Sequence, residues 1–280
     1  MTRLIDRLKA GAFISAPGVF DPLSARVAEQ SGATALYMTG YGVSASLLGK
    51  PDAGLVSYRE MVDRVRLICD VTEAPLIADG DTGFGGLANV RQAVQGYEAA
   101  GASAIQIEDQ EYPKRCGHTK NRKVIPAEDM VKKIEIATES RSSDDFLIVA
   151  RTDARTEHGL DEALRRSEAY IKAGADILFL ESPESVEEMR VITERFPDIP
   201  KLANMVGGGK TPVLPDAELR ALGYQIVIHP VYLLGAAVSG MRAAMQALQS
   251  DGTETPSAAT LEDLNMLVDF PAVWALDERA

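Results

Sequence analysis

The strongest constraint on this chain is a repeating alternation. Short apolar runs rich in β-branched residues are separated by longer stretches whose apolar positions recur at helical spacing. The strand-like runs are AFISAP (12–17), TALYMTG (34–40), PLIADGD (75–81), SAIQIED (103–109), FLIVARTD (146–153), DILFLES (176–182), PKLANM (200–205) and YQIVIHP (224–230). Between them lie amphipathic segments such as SYREMVDRVRLICDVT (57–72), PAEDMVKKIEIATES (126–140) and LDEALRRSEAYIKA (160–173). Runs this apolar suit strands covered on both faces, the environment of a parallel sheet. SGATALYM (31–38), AGASAIQI (100–107) and AGADILFL (173–180) repeat one order of helix end, glycine, turn and strand, with LGYQIVI (222–228) a looser fourth. Glycine there suits the left-handed position that ends a helix.

Eight such units predict an α/β fold, a closed (β/α)8 TIM barrel, rather than an open doubly wound sheet, and no GxGxxG follows the first strand. No Pro/Gly/Ser-rich linker interrupts the pattern. Residues 1–280 are therefore expected to form one domain, with the barrel over about 10–250 and a C-terminal helical extension over about 256–280. LLGAAVSGMRAAMQALQS (233–250) is expected as the eighth helix. LEDLNMLVDF and PAVW beyond it read as an extra apolar helix, packed on the barrel or lent to a partner subunit.

Charge narrows the partners. The formal net charge of −12 opposes nucleic acid and anionic membrane surfaces. No apolar run reaches membrane-spanning length, and MTRLIDRLKAG lacks a secretory h-region. Two cysteines, at 69 and 116, do not suggest a disulfide framework. A cytoplasmic protein is expected, and an anionic ligand would need a local basic patch.

Active sites of such barrels lie at the C-terminal ends of the strands. Those ends read Tyr41 after the second run, Asp79 and Asp81 after the third, Glu108 after the fourth, and Arg151 with Asp153 after the fifth. Glu181, Asn204 and His229 follow from the last three. Apolar strands often exit into polar residues, but so many acids abutting β-branched runs favour a site. Asp79, Asp81 and Glu108 on neighbouring strands would repel one another unless neutralised, and a hard cation, Mg2+ or alternatively Mn2+, does so.

The stretch EDQEYPKRCGHTKNRK (108–123) then reverses the charge. A basic run is ordinarily a solvated loop. Here it holds Cys116 beside Lys114, Arg115 and His118, surroundings that depress a thiol pKa and suit it to acid/base or nucleophilic work. Residues 111–125 are long for a βα connection and are expected to form a lid. Cys69 in VRLICDV reads as a buried, inert thiol. GGGKT (207–211) imitates the end of a P-loop, but the required first glycine is Asn204, so a plain loop is expected. His158 reads as a surface residue.

Together YMTGYGVSASLLGKPD (37–52), DGDTGFGG (79–86), IEDQEYPKRCGH (107–118), ARTDA (150–154), LES (180–182) and ANM…GGGKTP (203–212) resemble the isocitrate lyase/phosphoenolpyruvate mutase superfamily over roughly residues 10–245. KRCGH is the most specific of these motifs and marks the carbon–carbon lyase branch. The resemblance implies a Mg2+-dependent barrel, a homotetramer with a helix exchanged between subunits. It implies Asp79 as a direct metal ligand, supported by Asp52, Asp81 and Glu108. Thr39, Gly40, Tyr41, Gly42 and Arg151 would hold the α-keto acid portion of a small anionic hydroxy acid. Glu181, Asn204 and His229 would take the rest. Lys114, Cys116, Gly117 and His118 would form the gate. The implied reaction cleaves a 2-hydroxy di- or tricarboxylate, of 2-alkylmalate or 2-methylisocitrate type, to pyruvate or glyoxylate and a second carboxylic acid. Cys116 would protonate the carbanion, and Tyr41 is a candidate for the hydroxyl proton. TGYGVSAS resembles the dimethylmalate lyase, petal death protein and oxaloacetate hydrolase group, and Pro230 stands where the hydrolases carry serine. Gly207 and His229 depart from the glutamate and tyrosine common in relatives. Rival readings are an oxaloacetate hydrolase or decarboxylase, a phosphonate mutase-type activity, and a non-catalytic dicarboxylate-binding barrel.

Overall fold

A computed structural model describes residues 2–117, 122–252 and 259–279. Its eight strands are β1 (Ile14–Val19), β2 (Leu36–Met38), β3 (Leu76–Asp79), β4 (Ala104–Glu108), β5 (Leu147–Thr152), β6 (Ile177–Leu180), β7 (Leu202–Asn204) and β8 (Ile226–His229). All neighbouring pairs are parallel, in the order β6-β5-β4-β3-β2-β1-β8-β7. The two ends of this sheet meet at one bridge, Leu178 with Lys201, where the Leu178 N–H donates to Pro200 O at 2.9 Å. The result is the expected barrel with a thin closing seam.

The helices run in chain order as α1 (Leu4–Lys9), α2 (Pro22–Gln30), α3 (Gly40–Val43), α4 (Tyr58–Cys69), α5 (Leu87–Ala99), α6 (Ala127–Ser140), α7 (Ala154–His158), α8 (Leu160–Lys172), α9 (Val186–Arg195) and α10 (Asp216–Leu222), and a π-helical turn (Ser44–Leu48) follows α3. Local chemistry sets several starts. Asp21, Ser57 and Ser185 each accept a first-turn backbone N–H at the head of α2, α4 and α9. The repeated glycines Gly32, Gly101, Gly174 and Gly223 have φ of +96°, +99°, +102° and +100°, the helix-ending conformation their spacing predicts.

Strand alternation divides the core in two. Ile77, Val149, Phe179, Leu202, Ile226 and Ile228 point inward and fill the barrel, which Leu4 of α1 closes from below. Their neighbours Leu76, Ala78, Ile105, Ile107, Ile148 and Ala150 point outward under the helices.

Two expectations need correction. The first strand runs 14–19 rather than 12–17, because Gly18 and Val19 pair with Tyr37 and Met38. The C-terminal extension is two short helices, α12 (Leu261–Leu267) and α13 (Phe270–Asp277), not one. Asp269 between them adopts φ +66°, and Pro271 suits the first turn of a new helix. The eighth helix, α11 (Tyr232–Asp251), appears where expected but buries no residue fully within the monomer. Met241 on α11, Leu261 on α12 and Trp274 on α13 remain 61%, 74% and 49% exposed. Among the described residues no helix is long and apolar enough to cross a membrane.

Candidate active site

Inward-facing positions continue the period of two past the apolar core to the C-terminal mouth. Thr39 stands two residues after Tyr37, Asp79 after Ile77, Glu108 after Gln106, Arg151 after Val149, Glu181 after Phe179 and Asn204 after Leu202. All six line one cavity of about 580 Å3. Tyr41 lines it from α3, and Asp52, Lys114, Cys116 and Gly117 line it from loops.

One side of the cavity is acidic. Asp79 is buried at the end of β3. Its Oδ2 accepts the Gly40 N–H at 3.2 Å, and its Oδ1 accepts the Asp81 N–H at 3.0 Å. A Cβ on Gly40 would sit 2.6 Å from Asp79 Oδ2, so only glycine allows this approach. Asp81 turns the chain at φ +49° and points its carboxylate at Lys114. Lys114 Nζ lies 2.7 Å from Asp52 Oδ1 and 2.8 Å from Asp81 Oδ1. Burial opposes the lysine's charge, but Asp81, Asp79, Asp52 and Glu108 outweigh it and hold its pKa above the usual range. Burial likewise pushes the Glu108 carboxyl well up, only partly countered by Arg151.

The opposite side is built on Arg151. Its Nε lies 3.3 Å from Glu108 Oε2, and its Nη2 lies 3.2 Å from Glu181 Oε2, while the guanidinium sits 4.9 Å above the Phe179 ring. Asn204 Nδ2 donates to Glu181 Oε2 at 3.0 Å. Gly117 fits against this pair: a Cβ there would stand 2.4 Å from Arg151 Nη2 and 2.8 Å from Glu181 Oε2. Ser182, at φ +60°, donates to Gly117 O at 3.3 Å.

The loop between β4 and α6 carries Cys116 onto the cavity wall. Its stem is pinned by an antiparallel bridge between Gln110 and Val124. Gln110 also exchanges two hydrogen bonds with the Arg115 backbone, both at 2.9 Å. The Cys116 N–H donates to Asp52 O at 3.3 Å, tying the thiol-bearing loop to the segment after the π-helical turn.

Not every candidate reaches the cavity. Gly40 and Gly42 lie behind its wall and Asp81 touches it through Lys114. His229 does not line it. As the neighbour of inward-facing Ile228 it points outward, and its Nε2 is 3.9 Å from Asp216 Oδ1 on α10. The period of two instead presents Pro230. His118 lies outside the described residues. GGGKT is a loop with no helix before Asp216, and His158 is exposed beside Glu157 at 3.7 Å. Cys69 packs on the core, where burial pushes its thiol up to about 11.

Other residues join that the strand-end reading passed over. Tyr37 OH donates to Gln106 Oε1 at 3.0 Å at the cavity floor. A glutamine inside the strand run SAIQIED was the signal for it. Asp109 accepts from Thr152 Oγ1 and Tyr170 OH, both at 2.7 Å, and from the Asp153 N–H at 2.9 Å, bracing the β5 end. Val206, Leu234, Val238 and Arg242 wall the cavity on the side of α11. Nothing in the local sequence marked that helix as lying over a site.

The residues suit a hard cation by their chemistry. Among the described residues no donor reaches the buried Glu108 Oε1, and Asp52 and Asp81 share the single Lys114 ammonium. No three acidic, histidine or cysteine side chains converge on one point among the described residues. A cation here would draw one or two carboxylates and complete its shell with water or ligand oxygens, as Mg2+ commonly does.

Comparison with known proteins places this arrangement. The phosphoenolpyruvate phosphomutase family model matches residues 5–249. A 2,3-dimethylmalate lyase of Eubacterium barkeri is 46% identical over 276 residues, 99% of this chain and 94% of that protein. A 2-methylisocitrate lyase of Aeropyrum pernix is 44% identical over 241 residues, 86% of this chain and 77% of that protein. Among solved structures, a 2,3-dimethylmalate lyase superposes with TM-score 0.94 at 36% identity, covering 100% of this chain and 96% of that one. An oxaloacetate acetylhydrolase bound to 3,3-difluorooxalacetate gives TM-score 0.94 at 33% identity, covering 98% and 95%. With a matched barrel from end to end, the chain belongs to the isocitrate lyase/phosphoenolpyruvate mutase superfamily.

Proposed function

We propose that this protein is a Mg2+-dependent carbon–carbon lyase that cleaves a 2-hydroxy dicarboxylate of the 2-alkylmalate type into an α-keto acid and a second carboxylic acid. One observation carries the reading: Cys116 stands on the wall of the same cavity as the Asp79–Glu108 acid cluster and Arg151. The relative named 2,3-dimethylmalate lyase supports a dicarboxylate of this class, the one named 2-methylisocitrate lyase extends the same cleavage to a tricarboxylate, and superfamily members are metal-dependent enzymes.

Asp79 would hold the metal directly, with Asp52, Asp81 and Glu108 supporting it; Mn2+ is the alternative ion. Bound there, the metal supplies a Lewis acid for the oxygens of the keto-acid portion. Arg151 binds the keto-acid carboxylate in a low-dielectric setting where a charge-assisted pair is strong. Glu181 and Asn204 orient the remaining carboxylate end, with Thr39 and Tyr41 at the opposite wall. Loss of the hydroxyl proton, for which Tyr41 is the candidate acceptor, lets the C2–C3 bond break. Its electron pair stays on C3, delocalised into the adjacent carboxylate. Cys116 delivers the S–H proton to C3, and the thiolate is reprotonated before the next cycle. Lys114 and Gly117 shape the wall that presents the thiol, and we assign His118 to the same loop from the sequence alone. For 2,3-dimethylmalate the products are pyruvate and propionate. His229 is left with no role in binding.

We further propose that residues 1–280 act as one unit in a cytoplasmic homo-oligomer, a tetramer in which the apolar faces of α11, α12 and α13 are covered by exchange with a partner subunit. The exposure of Met241, Leu261 and Trp274 supports it.

The test is a substrate panel with Mg2+: 2,3-dimethylmalate, other 2-alkylmalates, 2-methylisocitrate, isocitrate, oxaloacetate and phosphonopyruvate, with keto-acid release followed by coupled reduction. Turnover of an alkylmalate is expected. Turnover of oxaloacetate or phosphonopyruvate alone would move the chain to a hydrolase or mutase, and binding without any turnover would leave a dicarboxylate-binding barrel.

A further inference from the structure

The chemistry above makes no use of Arg122, yet this residue is among the most deeply buried charges of the β4–α6 loop. Its guanidinium and the Asp153 carboxylate are 1% and 0% exposed. Arg122 Nη1 donates to Asp153 Oδ1, and Nη2 donates to Thr156 Oγ1 at 2.5 Å. Asp153 in turn grips Arg151 at two points, accepting Nε on Oδ2 at 2.9 Å and Nη2 on Oδ1 at 3.0 Å. Asp153 Oδ1 is thus shared by both guanidinium groups, and the Asp153 N–H is fixed by Asp109.

The charge balance gives this bridge a purpose. Arg151 faces Asp153, Glu108 and Glu181 at once. Were Asp153 to balance against Arg151 alone, the pair would be largely self-neutralised, and little field would remain for an incoming anion. A second guanidinium on the same carboxylate takes up part of that charge in a buried setting where such sharing is strong. Arg122 lies six residues beyond Cys116 in the sequence.

We propose that Arg122 is a positioning residue that, by sharing Asp153, orients Arg151 and leaves it available to the carboxylate of an anionic ligand. The inference rests on the reading of Arg151 as the carboxylate anchor of the proposed lyase.

Calorimetric titration of the full-length protein with oxalate in the presence of Mg2+ tests it without requiring turnover. R122A is expected to weaken oxalate binding about tenfold or more, R122K to recover most of the loss, and R122A to change affinity by less than about twofold when made in a D153N background. Unfolding curves confirm that each variant is folded; should R122A not fold, R122Q against R122K makes the same comparison. A folded R122A or R122Q with wild-type affinity overturns the inference, as does an equal loss in both backgrounds, or a wild-type protein that takes no oxalate. A wild-type protein that binds oxalate but cleaves no hydroxy acid removes the lyase reading alone, since the Arg122 comparison is read from affinities.

Discussion

Lys114 Nζ lies 2.8 Å from Asp81 Oδ1, with both side chains buried. The same ammonium is 2.7 Å from Asp52 Oδ1. One lysine therefore compensates an acid cluster that would otherwise hold several uncompensated charges out of water. Breaking such a buried pair by removing one partner costs about 3–5 kcal/mol. Lys114→Met is expected to lower the thermal midpoint clearly in EDTA. Millimolar Mg2+ should then raise the variant's midpoint by more than it raises that of the wild type, because the freed carboxylates attract the cation more strongly. Equal Mg2+ shifts in the two proteins would remove the cation from this cluster.

The same cluster sets a pH dependence. Burial pushes the Asp81 carboxyl up to about 7, with Lys114 only partly opposing it and Asp79 and Asp52 adding to it. In the unfolded chain an aspartate titrates near ~3.9. Between those values the folded protein keeps a proton that the unfolded chain has lost. The folded state is then the more protonated, so stability falls as pH rises. This contribution is complete below the unfolded pKa and gone once pH passes about 7. In EDTA, denaturation midpoints should decline from pH 5 to pH 7.5 through this group, and Asp81→Asn should flatten the decline. Identical slopes for both proteins would refute the assignment.

Why the strand ends could be read in advance, and the rest could not, follows from the period of two. Apolar β-branched runs fix the strands, and counting by two from Ile77, Val149 or Phe179 lands on Asp79, Arg151 and Glu181. Strand-end position alone does not give the facing, so it selects His229, whereas counting by two from Ile226 gives Ile228 and Pro230. Lys114 and Cys116 were flagged by composition, but the bond from Cys116 N–H to Asp52 O joins segments 64 residues apart, which no local pattern encodes. The α11 wall, with Leu234, Val238 and Arg242, depends on where a helix with no fully buried residue in the monomer comes to lie. Asp109 directly follows inward-facing Glu108 and so turns outward, to Thr152 and Tyr170, where no local pattern marks it.

Gly117 offers a steric test of the cavity. A methyl group there would overlap Arg151 Nη2 and Glu181 Oε2, at 2.4 and 2.8 Å from the added carbon. Since both partners are buried and cross-linked, the loop must back away instead. Gly117→Ala is expected to keep the fold while lowering kcat/KM by about 100-fold, the scale of a misplacement near 1 Å. Full activity in this variant would show that the loop does not work against Arg151.

The two thiols should behave oppositely. With its pKa raised by burial to about 11, Cys69 holds roughly a hundredfold less thiolate at pH 8 than an ordinary cysteine. Iodoacetamide at that pH is expected to label Cys116, on the cavity wall, and spare Cys69 in the folded protein; oxalate with Mg2+ should slow the labelling. Cys116→Ser should abolish it and reduce kcat by about 100- to 10,000-fold, the range of a lost proton donor, with oxalate binding retained. Rapid labelling of Cys69, or a serine variant of undiminished turnover, would contradict these roles.

The C-terminal helices carry the last prediction. Trp274, the sole tryptophan, is 49% exposed in the monomer, and α12 and α13 bury no residue fully. Met241 and Met245 extend the same kind of surface along α11, at 61% and 51% exposure. Exposed apolar surface on three helices is costly in water, and the proposed tetramer would cover it. Light scattering should give a multiple of 30.1 kDa, and Trp274 emission should lie well to the blue of a solvated indole. Trp274→Glu, which would put a charge into the proposed interface, is expected to shift the mass downward. Because α11 also walls the cavity through Leu234 and Val238, the dissociated variant should lose substrate affinity along with mass. A wild-type protein of monomeric mass, with red-shifted emission, would show that the monomer leaves these helices bare.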